Sequence, residues 1–200
     1  GTVLIQVSDD GTGMDEEDAG ISFLRHATSK IATYEELESI ATYGFRGEAL
    51  ASIAAVARVT LTTRRRDRDA AVVIAVDGGG QQRISRQARE PGTTIAVHQL
   101  FFNTPARRKF LKSIQTEFRR VYDAVQRVAL SHPEIALRFV SDEETVLDLR
   151  PGSLDERMRD LFGERLLEGV VWMEEGGSHF WCRGYVAKAQ YGQKTRLNQF

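Results

Sequence analysis

The stretch Thr2-Val-Leu-Ile-Gln-Val7, continued by Ser8-Asp-Asp-Gly-Thr-Gly-Met14, decides the fold. The apolar, β-branched run at 2–7 predicts a buried strand, and the aspartates and glycines after it predict a turn. An aspartate directly after a strand is held rigidly, and Gly11 and Gly13 let the backbone approach a flat or charged ligand. Taken alone, the arrangement is more often a simple turn.

A second motif, Tyr43-Gly-Phe-Arg-Gly-Glu-Ala-Leu50, places two glycines three residues apart in a loop that enters a helix. This helix is predicted from Glu48 to about Val56. Free N–H groups at a helix start, approached through glycine, favour a phosphate-binding loop. Gly44 is also suited to end the preceding helix, which is predicted to begin at Thr33.

A third motif, Glu90-Pro-Gly-Thr-Thr-Ile95, is a turn that enters a strand. The Thr93 hydroxyl is a candidate phosphate contact. In isolation the motif indicates only a turn followed by β-branched residues.

The remaining pattern predicts an α+β fold, with helices on a mostly antiparallel sheet. A helix is predicted from Asp15 to Arg25, and an amphipathic helix from Glu117 that Pro133 ends. Strands are predicted at 59–63, 71–76, 82–85, 94–100, 136–140 and 145–149. After the linker-like residues 150–153 come a helix at 154–162 and a hairpin at 169–173 and 179–186.

Composition excludes several classes. The 27 Lys and Arg against 28 Asp and Glu give a net charge of −1, so any contact with DNA has to be local. No apolar run approaches the roughly 20 residues that a membrane span needs. The one cysteine, Cys182, excludes an internal disulfide framework and favours a reducing compartment. We expect it to be a small core side chain.

Two further clusters have two interpretations each. Thr104-Pro105 predicts the start of a short helix, with Phe110 and Leu111 anchoring it and Arg107, Arg108 and Lys109 facing outward. Phosphate contact on DNA is the alternative for these cations. The aromatic side chains Trp172, Phe180 and Trp181 are expected in a core rather than as platforms for stacking bases.

In this order, the motifs resemble the N-terminal ATPase region of MutL-type DNA mismatch-repair proteins, members of the GHKL ATPase superfamily. Arg25-His-Ala-Thr-Ser-Lys30 and Phe102-Asn-Thr-Pro-Ala-Arg-Arg-Lys-Phe-Leu111 also fit this family. The resemblance covers essentially all 200 residues. The stretch from Gly44 to Leu50 separates these proteins from gyrase B subunits, sensor kinases and heat-shock chaperones.

The resemblance implies a GHKL-type α/β sandwich over residues 1–150, without its N-terminal helix. Residues 151–200 would then be the truncated beginning of a second, ribosomal-protein-like α+β domain.

Site residues follow from the same resemblance. Asp9 would accept a hydrogen bond from the adenine amino group, Gly13 would let the base lie flat, and Thr93 would lie near the base and its water. The remaining implied ATP contacts are Gly11 beside Asp9, the lid residues Thr28, Ser29 and Lys30, and the phosphate loop of Gly44, Phe45, Arg46, Gly47 and Glu48.

The family's general-base glutamate and magnesium-binding asparagine lie on a helix upstream of the adenine aspartate. We therefore expect no catalytic residue and no metal ligand in residues 1–200, and little nucleotide binding or hydrolysis by this chain alone. Glu48 is expected to orient the phosphate loop rather than to act as the base.

For the full-length protein, the resemblance implies ATP and Mg²⁺ as cofactors and slow ATP hydrolysis in a bacterial cytoplasm, near the nucleoid. ATP-driven dimerisation of the N-terminal regions would link a mismatch-recognition protein to a downstream nuclease or helicase on DNA. The alternatives are another GHKL ATPase, such as a topoisomerase subunit, and a non-hydrolysing DNA-binding scaffold.

Overall fold

The computed structural model describes residues 2–25, 47–177 and 180–191. The helix predicted from Thr33 lies outside these ranges. Contacts divide the chain into two compact units, Gly1–Ile114 and Gln115–Phe200. The predicted assignment of residues 1–150 to one domain and 151–200 to another stays a prediction.

The first unit contains a sheet of five antiparallel strands in the order β1-β5-β2-β3-β4. The predicted antiparallel sheet is therefore confirmed. Its strands are β1 (Leu4–Asp9), β2 (Arg58–Arg64), β3 (Ala71–Asp77), β4 (Arg83–Gln87) and β5 (Gly92–His98).

Three short helices accompany the sheet: α1 (Glu16–Ile21), α2 (Ala49–Ala54) and α3 (Pro105–Arg108). The Asp15 carboxylate caps α1 by accepting a hydrogen bond from the Asp18 N–H at 2.9 Å. The prediction that α1 runs to Arg25 is wrong. The N–H groups of Phe23 and Leu24 bond to carbonyls three residues back, which tightens the chain and ends the helix.

The core of the first unit lies between one face of the sheet and the helices. Alternate residues of the central strands point to this face, as the period of two requires. The buried members are Ala19, Phe23, Ala54, Ala57, Val59, Leu61, Val72, Ile74, Val76 and Val97.

The first strand is not buried as predicted, because β1 lies at the edge of the sheet and pairs only with β5 among the described strands. Val3 and Val7 are 77% and 67% exposed. Only Ile5 of this strand packs against the core. The strand also extends to Asp9, whose Cα pairs with that of Thr93.

The second unit consists of helices and two separate hairpins. Its elements are α4 (Ile114–Ser131), β6 (Leu137–Ser141), β7 (Glu144–Leu149), α5 (Leu154–Phe162), α6 (Glu164–Glu168), β8 (Val170–Gly176), β9 (Trp181–Ala187) and a 3₁₀ turn at Ala189–Tyr191. The predicted bounds of α5 are confirmed, and so is the end of α4 before Pro133.

A buried arginine ties parts of this unit together. Arg157 of α5 is 1% exposed, and its guanidinium donates to the carbonyl oxygens of Pro133, Ile135 and Arg150 at 2.8, 2.8 and 2.9 Å. These bonds join α5 to the segments on both sides of the β6–β7 hairpin.

The aromatic side chains of the β8–β9 hairpin are not in a core. Phe180 and Trp181 are 70% and 69% exposed, and Cys182 is exposed too. The expectations of buried aromatics and a buried cysteine are wrong, because this hairpin has only two strands to cover its faces.

A capping box starts α5. The Ser153 hydroxyl accepts from the Glu156 N–H at 3.2 Å, while the Ser153 N–H donates to the Glu156 carboxylate at 2.7 Å. This backbone hydrogen bond, with that of the Ser153 hydroxyl, holds the pKa of Glu156 below its ordinary value of 4.5.

Because the pKa of Glu156 is lower in the folded chain than in the unfolded chain, its stabilisation is present above about pH 4.5 and is lost as the pH falls through the folded pKa. We expect Glu156→Gln to lower the thermal midpoint at neutral pH and to lessen the loss of stability on acidification. Thermal unfolding from about pH 7 to pH 3 tests this. Glu144→Gln, at an exposed glutamate of β7, is the control. An acid dependence equal to that of the wild type would contradict the prediction.

Candidate nucleotide site

Three polar side chains lie in a row across the strands β1, β5 and β2. The register pairs Asp9 with Thr93 and Thr93 with Thr63. Paired residues in neighbouring strands point to the same face, so all three belong to the face that carries the core. The row lies at one end of the sheet, where β1 ends and β5 begins.

The Asp9 carboxylate is held by the backbone on one side only. Its Oδ1 accepts from the N–H of Gly11 at 3.0 Å and from the N–H of Thr93 at 3.2 Å. Within residues 2–25, 47–177 and 180–191, no hydrogen bond reaches Oδ2. Asp9 is exposed, so this oxygen is available to a donor on a ligand.

Glycines are required around Asp9 by contacts inside the protein. A Cβ at Gly13, where φ is +68°, would lie 2.1 Å from the carbonyl oxygen of Arg64. A Cβ at Gly92, where φ is +121°, would lie 2.1 Å from the carbonyl oxygen of Asp9. Gly11 faces the Asp9 carboxylate, which a Cβ would approach to 2.9 Å. Together these glycines let the loop after β1 lie directly against the strands β2 and β5.

Thr63 is the member of the row that the sequence analysis missed. It is fully buried, and its hydroxyl oxygen accepts from the Met14 N–H at 2.8 Å. The same oxygen is 3.1 Å from the Thr93 hydroxyl oxygen and 3.4 Å from the Gly92 carbonyl oxygen. A signal was present in the sequence, since Thr63 continues the alternation of buried Val59 and Leu61 with a polar side chain.

The described part of the phosphate loop is small. Gly47 has a φ of +60°, a conformation that favours glycine, and Glu48 is the N-cap residue of α2. The other predicted members, Gly44, Phe45 and Arg46, lie outside the described residues. The lid residues Thr28, Ser29 and Lys30 do so too.

The predicted basic cluster lies on α3. Thr104 is the N-cap residue and Pro105 the first residue of this helix, as predicted. Arg107, Arg108 and Lys109 are all exposed. Phe110 is 80% exposed, so the expectation that it anchors the turn is wrong. A helix of four residues has too little surface to bury it.

Two surface hollows lie away from this row. One, of about 570 Å³, lies between α1 and β4 and includes Ile21, Leu24 and Ile84. The other, of about 340 Å³, is lined by Val3, His98 and other residues at the opposite end of β1 and β5. Asp9 and Thr93 line neither of them, so the candidate site is an open edge among the described residues.

The described residues do not supply a metal centre. Among them, no group of three or more His, Cys, Asp or Glu side chains is placed to hold a metal ion. They therefore do not fit Mg²⁺ by themselves. No helix in these same ranges is both long and apolar enough to cross a membrane.

Comparison with known proteins agrees with this geometry. Residues 2–96 match the family described as histidine kinase-, DNA gyrase B-, and HSP90-like ATPase. The DNA mismatch repair protein MutL of Chlorobium phaeobacteroides is 40% identical over 200 residues, which is 100% of this chain and 32% of that protein. MutL of Thiobacillus denitrificans is 44% identical over 188 residues, covering 94% of this chain and 31% of that protein.

A solved structure is also similar. The Aquifex aeolicus MutL ATPase domain complexed with ADP has a TM-score of 0.67 and 30% identity, covering 86% of this chain and 60% of that one. The chain spans about a third of the length of the curated relatives it matches. From the matches over its whole length and the row at the end of β1, the chain belongs to the N-terminal ATPase region of the MutL-type DNA mismatch-repair proteins.

Proposed function

We propose that the row Asp9–Thr93–Thr63 binds the adenine base of ATP. The observation that carries this proposal is the Asp9 carboxylate, whose Oδ1 is fixed by two backbone N–H groups while Oδ2 has no partner among the described residues. An acceptor held in this way is suited to the exocyclic amino group of adenine. The related Aquifex aeolicus domain was solved with ADP, which supports a nucleotide at this place.

The phosphates of ATP are proposed to lie against the loop of Gly44, Phe45, Arg46, Gly47 and Glu48, under the lid of Thr28, Ser29 and Lys30. The positive φ of Gly47 at the start of α2 supports a loop with backbone N–H groups directed at an anion. Mg²⁺ and the general base would come from outside the described residues, as the family resemblance implies.

For the full-length protein, we propose slow ATP hydrolysis in bacterial DNA mismatch repair. ATP-driven association of two N-terminal regions would couple a mismatch-recognition protein to a nuclease or helicase on DNA. The similarity to MutL proteins over the whole chain supports this role. It also favours this role over a topoisomerase subunit and a scaffold that hydrolyses nothing.

Asp9→Asn tests the adenine contact. The amide would present N–H donors toward the adenine amino group in place of a carboxylate oxygen. Loss of this charge-assisted hydrogen bond should weaken ATP binding by about 1.5–3 kcal/mol. Calorimetric titration of the full-length protein measures the affinity. Asp10→Asn, the exposed neighbour, is the matched control. An ATP affinity unchanged in Asp9→Asn would leave only a turn at this position.

Gly47→Ala tests the phosphate loop. A methyl group at Gly47 would hinder the approach of phosphate to the backbone, so ATP binding should weaken much more than adenosine binding. The positive φ also strains alanine, at a cost of about 1 kcal/mol of stability.

Gly79→Ala controls for this strain, because Gly79 also has a positive φ and a Cβ there meets Ala55 no closer than 3.4 Å. Thermal midpoints and both affinities are measured for each variant. Equal losses for ATP and adenosine in Gly47→Ala, in step with a lower midpoint, would refute the phosphate loop.

The cations of α3 are proposed to contact DNA phosphates. Arg107, Arg108 and Lys109 are exposed on one short helix, and the overall charge of −1 requires such a contact to be local. A double variant, Arg107→Ala with Arg108→Ala, should weaken DNA binding. It should also reduce the slope of log K against log salt by about 0.9 for each phosphate that an arginine no longer neutralises.

The matched control removes the same charge elsewhere. Arg66→Ala with Arg68→Ala changes two exposed arginines between β2 and β3. Equal effects of the two double variants on the salt dependence would show a response to total charge alone, and would contradict DNA binding by α3.

A further inference from the structure

Thr63 has no direct access to a ligand, yet its hydroxyl touches the residues that would contact the base. It is 0% exposed and lies beside Thr93 in the row, with Asp9 on the far side of Thr93. Its hydroxyl also receives the N–H of Met14, at the end of the loop that follows Asp9. Thr63 is therefore placed to act through Thr93.

The direction of the hydrogen bonds follows from a count of protons. A threonine hydroxyl has one proton to donate and two lone pairs. The Thr63 oxygen accepts the Met14 N–H, which leaves its own proton to be donated once. Two acceptors are near, the Thr93 hydroxyl oxygen at 3.1 Å and the Gly92 carbonyl oxygen at 3.4 Å. The shorter distance favours donation to Thr93, because O–H···O bonds weaken quickly beyond about 3.0 Å.

This direction determines what Thr93 can offer a ligand. When Thr63 donates to the Thr93 oxygen, the Thr93 proton cannot point back along the same line. It is then free to be donated to a bound base, directly or through one water. With Asp9 as an acceptor and Thr93 as a donor, the row presents the complement of the adenine edge, which has an amino donor beside the acceptor N1. Guanine has the reverse order, an acceptor at O6 beside the N1–H donor.

We propose that Thr63 is a positioning residue that fixes the Thr93 hydroxyl as a proton donor and so sets the preference of the site for adenine over guanine. This inference rests on the proposed nucleotide site, and it assigns its base specificity to a residue that the base does not touch. A site built to hydrogen-bond one edge rejects the other because buried polar groups would be left unpaired.

Thr63→Val in the full-length protein removes the hydroxyl and keeps the shape. Affinities are measured for ATP, for GTP and for 1-deaza-ATP, in which a C–H replaces N1. We expect ATP binding to weaken about five- to tenfold, the loss of one hydrogen bond, and the preference for ATP over GTP to fall with it. The affinity for 1-deaza-ATP should stay as in the wild type, since this analogue has no N1 to receive the proton.

Two variants control for a structural effect. Thr63→Ser keeps a hydroxyl and should keep the wild-type preference for ATP. Thr62→Val changes the neighbouring threonine, which is also buried but pairs with Thr94 on the other face of the sheet. It should leave the ratio of ATP to GTP affinity unchanged. If Thr63→Val does not fold, Thr63→Cys gives the same comparison with a thiol, a weak donor and acceptor.

The outcomes separate this inference from the proposed function. A wild type that binds ATP, with an unchanged ATP to GTP ratio in Thr63→Val and Thr63→Cys, would overturn the role of Thr63 and leave the nucleotide site intact. Equal losses for ATP and 1-deaza-ATP would assign Thr63 a structural role only, and would also overturn the inference. A wild type that binds no ATP would instead refute the proposed function.

Discussion

The register of β5 between β1 and β2 is the constraint on which the rest of the site depends. It places Asp9, Thr93 and Thr63 at equivalent positions of three neighbouring strands. A shift of β5 by one residue would bring Thr94 to the face where Thr93 lies and would break the row. Gly92 and Gly13 allow this register, because a side chain at either would collide with the backbone of Asp9 or Arg64. The site is thus a property of strand pairing as much as of its side chains.

Much of the fold follows from local patterns that the sequence displays openly. The alternation in Val59, Leu61 and Thr63 marks a strand with one buried face, and Asp15 marks a helix start by its capping chemistry. The bounds of α5 were predictable because Ser153 and Gly163 stand on either side of a helical pattern. Asp9, Gly11 and Gly13 were identified as a group because an aspartate and glycines follow a strand.

Other features depend on partners distant in the sequence, and local patterns do not contain them. Val7 has the composition of a buried residue but lies on an edge strand, so burial could not be inferred from its type. Trp181 and Phe180 are exposed for a similar reason, because their hairpin pairs with no further strand among the described residues. The role of Thr63 required the register, since its partners are Met14 and Thr93, 49 and 30 residues away in the chain.

The β8–β9 hairpin gives the chain an optical property that follows from its aromatic content. The sequence has two tryptophans, Trp172 and Trp181, and both lie in the second unit. Trp181 is 69% exposed and emits much as it would in water, whereas Trp172 packs edge-on against Tyr185 at 5.2 Å. The intrinsic fluorescence of the folded chain therefore reports the second unit, while the row at Asp9 lies in the first. Any change in tryptophan emission caused by a ligand bound at the row would be a direct optical measure of communication between the two units.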